Sequence, residues 1–140
     1  MKRTVWLLLA LFSATCSEGG TRTVAWRGED FVEVRNLKAL PHEIQMVIGV
    51  GLTGMQGIAD TAERFNITDV VDSTLPMRRF AVGGISPTSV LIAVERGGIA
   101  YNIEVSLFGR KGYEQLLQKW TLFDKPESLR KLVAALETKQ

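Results

Sequence analysis

The chain has 140 residues, 46% of them hydrophobic and 23% charged, which is enough apolar material for one core and too little charge for wholesale disorder. Its formal charge of +2 comes from Lys2 and Arg3; subtracting these from 17 Lys+Arg leaves 15 against 15 Asp+Glu from Cys16 onward, a balance that offers no electrostatic footprint for nucleic acid. With one cysteine and one histidine, an intramolecular disulfide is impossible and a zinc site of the usual composition is not expected.

Residues 1–20 read apart from the rest. Lys2 and Arg3 precede an unbroken apolar run, Val5 to Phe12, and Ser13, Ala14 and Thr15 follow. A positive start, an apolar run and small residues are the layout of an export signal, and this run is far shorter than the ~20 residues that span a bilayer as a helix. The stretch Ser13-Ala14-Thr15-Cys16 resembles the lipobox of bacterial lipoproteins at Ala14 and in its position; Ser13 stands where leucine is usual, and Thr15 where Gly or Ala is usual. The resemblance implies acylation of the Cys16 thiol, and Ser17 in place of Asp then implies sorting to the outer membrane. The expectation is an export signal and tether over 1–20, cleaved near 15–17, ahead of one domain over 21–140. The product is exported to the periplasm, with the lipid anchor at Cys16 as its sole hold on a membrane; plain cleavage near Ala14–Ser17 is the alternative.

Beyond the tether, Thr21 to Trp26 and Phe31 to Arg35 are rich in β-branched and aromatic residues, with Gly28-Glu29-Asp30 between them, and read as two short strands around a turn. Next, Leu40, Ile44, Val47 and Ile48 share a helix face, Pro41 sits near the first turn, and Gly49 is placed to end the helix in a left-handed conformation. The same stretch spells Gly49-x-Gly51-x-x-Gly54. As a dinucleotide loop it would need Ile44 to Ile48 as a strand, Gly57 to Phe65 as a helix and Asp69 or Asp72 on a ribose. The helix is the better reading, because the hairpins downstream do not join parallel strands.

Those hairpins are plain. Arg78 to Val82 and Val90 to Val94 read as strands, and Ile99, Tyr101, Ile103, Val105 and Leu107 recur at period two as a half-buried strand. Gly83-Gly84 with Ser86-Pro87, and Arg96-Gly97-Gly98, supply the turns. Glu114 to Phe123 suits a helix or a strand. Asp124-Lys125-Pro126-Glu127 reads as a helix start, and Leu129, Leu132, Val133 and Leu136 form one apolar stripe. The expected fold is α+β: an antiparallel β-meander packed against a C-terminal amphipathic helix, with one or two helical segments in the N-terminal half.

Chemistry-bearing residues are sparse. His42, beside Pro41, has no nucleophile paired with it by the sequence and reads as a surface residue. Asp69 and Asp72, with Asp60 and Glu63 upstream, are the best carboxylate grouping for acid–base work or carbohydrate binding. Asn66-Ile67-Thr68 matches a glycosylation sequon. Arg78-Arg79 and Arg110-Lys111 are basic pairs. Trp26, Arg27, Arg78, Arg79, Arg96 and Tyr101 are residue types that anchor interfaces and are the candidates for a partner surface. No catalytic set, metal or cofactor is expected. The function expected is that of a non-catalytic exported protein that binds a protein or an envelope component; an inhibitor or immunity protein against a cell-wall-degrading enzyme is one version. The alternatives are a small periplasmic hydrolase or carbohydrate-binding domain using Asp69 and Asp72 and, behind it, a nucleotide-binding domain.

Overall fold

Apolar runs and period-two alternation mark several segments as strands, and the computed structural model, which describes residues 21–111 and 115–139, assembles six of them into one sheet. Its six strands are β1 (Thr23–Trp26), β2 (Glu29–Val34), β3 (Arg78–Ile85), β4 (Ser89–Arg96), β5 (Asn102–Gly109) and β6 (Leu116–Leu122). Spatial order equals chain order and every neighbour is antiparallel, so the sheet is one long meander. The leader, Cys16 and the tether lie outside the described residues.

A helix packs on each face of this antiparallel sheet, which makes the class α+β. One face meets α2 (Leu129–Glu137), whose stripe of Leu129, Leu132, Val133 and Leu136 is buried against Phe31, Ala81, Leu91, Ile103 and Val105. The other meets the short α1 (His42–Ile48), which presses Ile44 and Ile48 onto Val34, Phe80, Val90 and Ile92. Gly49 caps α1 at φ 84°, the left-handed conformation that frees its N–H to bond the carbonyls of Gln45 and Met46. Burying each stripe residue of α2 contributes about 1.5–3 kcal/mol before entropy is counted.

Several boundaries differ from the sequence reading. Glu29 and Asp30 open β2, leaving the turn to Arg27 and Gly28, and Gly83 and Gly84 lie inside β3, paired with both β2 and β4, rather than in the turn after it. The helix α2 starts at Leu129, because Ser128 accepts the Lys131 N–H as N-cap; Asp124 to Glu127 precede it as an extended approach. Strand β5 starts at Asn102, and Ile99 stands in the turn before it, 94% exposed. The ambiguous stretch resolves as a strand: β6 completes the hydrogen-bond ladder of β5 and turns Trp120 and Leu122 toward the α2 face, opposite Val105 and Ile103.

Twist decides the rest of the architecture. β1 and β6 are opposite edges, yet the Trp26 and Trp120 rings lie 6.0 Å apart and Arg27 Nη1 donates to Gln118 Oε1 at 2.9 Å. The β1–β2 hairpin therefore curls across the α2 face until the two edges meet at one corner, as strong right-handed twist allows. β2 pairs only with Gly83 to Ile85 of β3. The other half of β3 is bonded by the connection between β2 and β3: Ala59 N–H donates to the Arg78 carbonyl and its own carbonyl accepts from Phe80, each at 2.9 Å.

Candidate functional site

Strand parity sorts the six candidate residues into three places. Trp26 ends β1 and Arg27 follows in the turn: Trp26 is buried, and the Arg27 guanidinium lies 4.6 Å from its ring and 5.5 Å from that of Trp120. Arg79 and Tyr101 fall on the α2 face. Arg78 and Arg96 fall together on the α1 face, as directly opposed residues of β3 and β4.

On the α2 face the organising residue is one the sequence reading passed over. Glu95 follows Leu91 and Ala93 at period two, so β4 carries its carboxylate inward, where it is 1% exposed. Arg79 embraces it with Nε–Oε1 at 2.9 Å and Nη2–Oε2 at 3.0 Å, Lys125 Nζ reaches Oε1 at 2.7 Å, and the Tyr101 hydroxyl donates to Oε2 at 2.8 Å. Burial by itself raises the Glu95 carboxyl, but these three donors together hold it below the ordinary carboxylate range. Tyr101 is pushed up to about 12, first by burial and then by the carboxylate that accepts its proton. Arg79 also stacks 4.4 Å from the Phe65 ring, so this network ties the β2–β3 connection and the approach to α2 onto the sheet. Its charges satisfy one another, and the cluster reads as a structural clamp.

The α1 face is different. Helix α1 covers its β2–β4 side and leaves the β5–β6 side open. Between them runs a cleft of about 250 Å³, with Val47 and Ile48 on one wall, Leu116 on the other, Ile92, Val94, Ser106 and Phe108 along the floor, and Arg78, Glu104 and Lys119 at its polar end. Glu104 binds Arg96 Nη1 at 2.8 Å and Lys119 Nζ at 3.1 Å. Burial raises the Glu104 carboxyl and these two cations more than reverse the effect. Arg78 Nη2 donates to the Gln56 carbonyl at 2.7 Å, and no carboxylate of the described residues forms an ion pair with it. Burial, then Arg96 facing it across the strands, lowers the Arg78 pKa; Glu104 acts against them. Like charges directly opposed in a sheet are destabilising. Three cations thus share one acid at the end of an apolar trough, an arrangement suited to a group that brings negative charge.

The other hollows do not set three cations around one acid. The wide depression along β1 and β2 is lined by Arg22, Glu33 and Arg35, and Glu33 pairs with both arginines. Asp72 borders a further hollow of about 420 Å³, but its carboxylate is engaged by the N–H and hydroxyl of Thr74, which also hold it below the ordinary range; Asp69 is not among the residues lining that hollow. The sequon asparagine, Asn66, is buried: its amide donates to the carbonyls of Asp72 and Leu75 and accepts the Asp72 N–H. The glycine triplet follows a helix rather than a strand, and the sheet it would serve is antiparallel throughout. Among the described residues no group of three metal-ligating side chains converges, and no helix is long and apolar enough to cross a membrane.

Fold and site together define a six-stranded α+β domain with an amphipathic cleft on the face opposite its C-terminal helix. No protein-family model, no curated protein and no solved structure matches the chain.

Proposed function

We propose that the chain is a non-catalytic exported protein that binds a partner protein or an envelope component through the cleft between α1 and β6. The observation that carries this reading is the cleft itself, an apolar trough ending in Arg78, Glu104 and Lys119, with Arg96 behind Glu104 as its second ion-pair partner. Apolar walls with a few convergent charges are the common make-up of a ligand site. Export rests on the layout of residues 1–20, and the membrane anchor on Cys16.

Photo-crosslinking in the producing cell tests the reading. A photoreactive residue at position 47 or 116, both exposed in the wild-type chain, forms an adduct that Arg78→Glu abolishes, whereas a probe at position 137 on the outer side of α2 gives none. Equal adduct yields from all three positions, or from Arg78→Glu and the parent chain, would overturn it.

A further inference from the structure

Resting on that reading, we infer that the cleft takes an anionic amphiphile: a carboxylate or phosphate headgroup set against Arg78 and Lys119, and an unbranched apolar body lying over Ile92 and Phe108 toward Leu116. Three features on the page lead to it. First, the trough is polarised along β5. Glu104 marks its charged end and Phe108 its apolar end, four residues apart, which at ~3.3 Å per residue places the two roughly 13 Å apart. Second, the charged end has cations to spare. Arg78 and Arg96 oppose each other across β3 and β4, and Glu104 is already held by Arg96 and Lys119. An entering anion supplies the ion-pair partner that Arg78 lacks among the described residues, and a guanidinium fork suits carboxylate and phosphate oxygens alike.

Third, the floor favours an amphiphile over a peptide. An extended peptide is recognised chiefly by main-chain bonds to a free strand edge. Here the floor strands β4 and β5 are each bonded on both sides, so the cleft offers side chains and closed ladders. Its volume of about 250 Å³, just under the usual range of small-molecule pockets, admits a slender ligand.

The experiment is an amide-shift titration of the purified protein, free of detergent, with four probes of one chain length: decanoate, decyl phosphate, decanol and decyltrimethylammonium. Decanoate or decyl phosphate, or both, shift Ser106, Phe108 and Lys119, and the stronger of the two identifies the headgroup chemistry. Decanol binds at least tenfold more weakly and decyltrimethylammonium leaves these amides unmoved. Arg78→Gln weakens the anionic probes at least tenfold and leaves decanol unchanged, while Leu116→Asp, at an exposed position, weakens all chains that bind. Cationic and anionic probes shifting the same amides equally would overturn the inference, as would shifts confined to another face or none at all. If no amphiphile binds while the crosslinks at 47 and 116 still depend on Arg78, the ligand class falls and the binding role of the cleft stands; if both fail, the binding role falls with it.

Discussion

Glu95 is the residue on which the interior depends most. Removing one partner of a buried ion pair costs about 3–5 kcal/mol, because the remaining charge is left without compensation. Glu95→Ala is therefore expected to destabilise the protein by about 3 kcal/mol in urea unfolding. Its pH dependence has a definite sign. The folded carboxyl titrates below its ordinary value of 4.5, so its contribution is complete above that value and is lost as pH falls through the lower folded one. The stability gap between the parent and Glu95→Gln should narrow as acid is added below 4.5; a constant gap would show that the clamp is not ionic. At the other end of the scale Tyr101, at about 12, should ionise well after an unperturbed tyrosine in a spectrophotometric titration. Gly97 governs packing of a different kind. A Cβ there would sit 1.6 Å from the Asn66 carbonyl oxygen, so the backbone of the connection must move. Gly97→Ala should cost about 1–3 kcal/mol and shift the amides of residues 66–75; unchanged spectra would show that the close approach is dispensable.

At the level of elements, α2 is the best-defined test. Its stripe is buried to the last residue, and Leu132 is fully so. Leu132→Ala should cost about 2–5 kcal/mol, and Ser128→Ala, which deletes the N-cap acceptor, about 1 kcal/mol. The two effects should add nearly, since one acts on packing and the other on the first turn. A cap variant as damaging as the core variant would mean that the approach segment, held by Lys125 on Glu95, unravels with the helix. Element α1 buries Ile44 and Ile48, and its exposed Val47 borders the cleft, so the same short helix both roofs a core and walls the candidate site.

Across the whole molecule, order is unevenly distributed. Strands β3 to β5 are bonded on both sides along most of their length, whereas residues 61–75 are held by buried Phe65 under Arg79, the Thr61 hydroxyl, the Asn66 side chain, the Asp72 turn and a few backbone bonds, with no strand ladder of their own. Regions held this way open below the global unfolding free energy. Native-state amide exchange is expected to release residues 61–75 at a lower free energy than β4; equal values would make the connection part of one cooperative unit. The edge-to-edge closure through Trp26, Trp120 and Arg27 belongs to this scale as well, since it comes from the accumulated twist of six strands and from no single pair.

Period and punctuation were readable from the chain alone. Alternation at β5, the apolar runs of β3 and β4, the stripe of α2, and Gly49 as the end of α1 follow from local geometry, which links neighbours in sequence to one face of a strand or helix. The α+β class follows from them. The inward carboxylate of Glu95 was also readable, by carrying the alternation of Leu91 and Ala93 one step further. Other features required the folded chain. Leu116 to Leu122 is a strand because β5 needs a partner there, a demand that no local propensity carries. Arg78 meets Arg96, Glu95 gains Lys125, and Trp26 finds Trp120 because register and twist set distances between residues remote in sequence. The cleft is the same kind of fact: its walls come from α1 and β6, and only the packing of both on one sheet puts three cations around one acid.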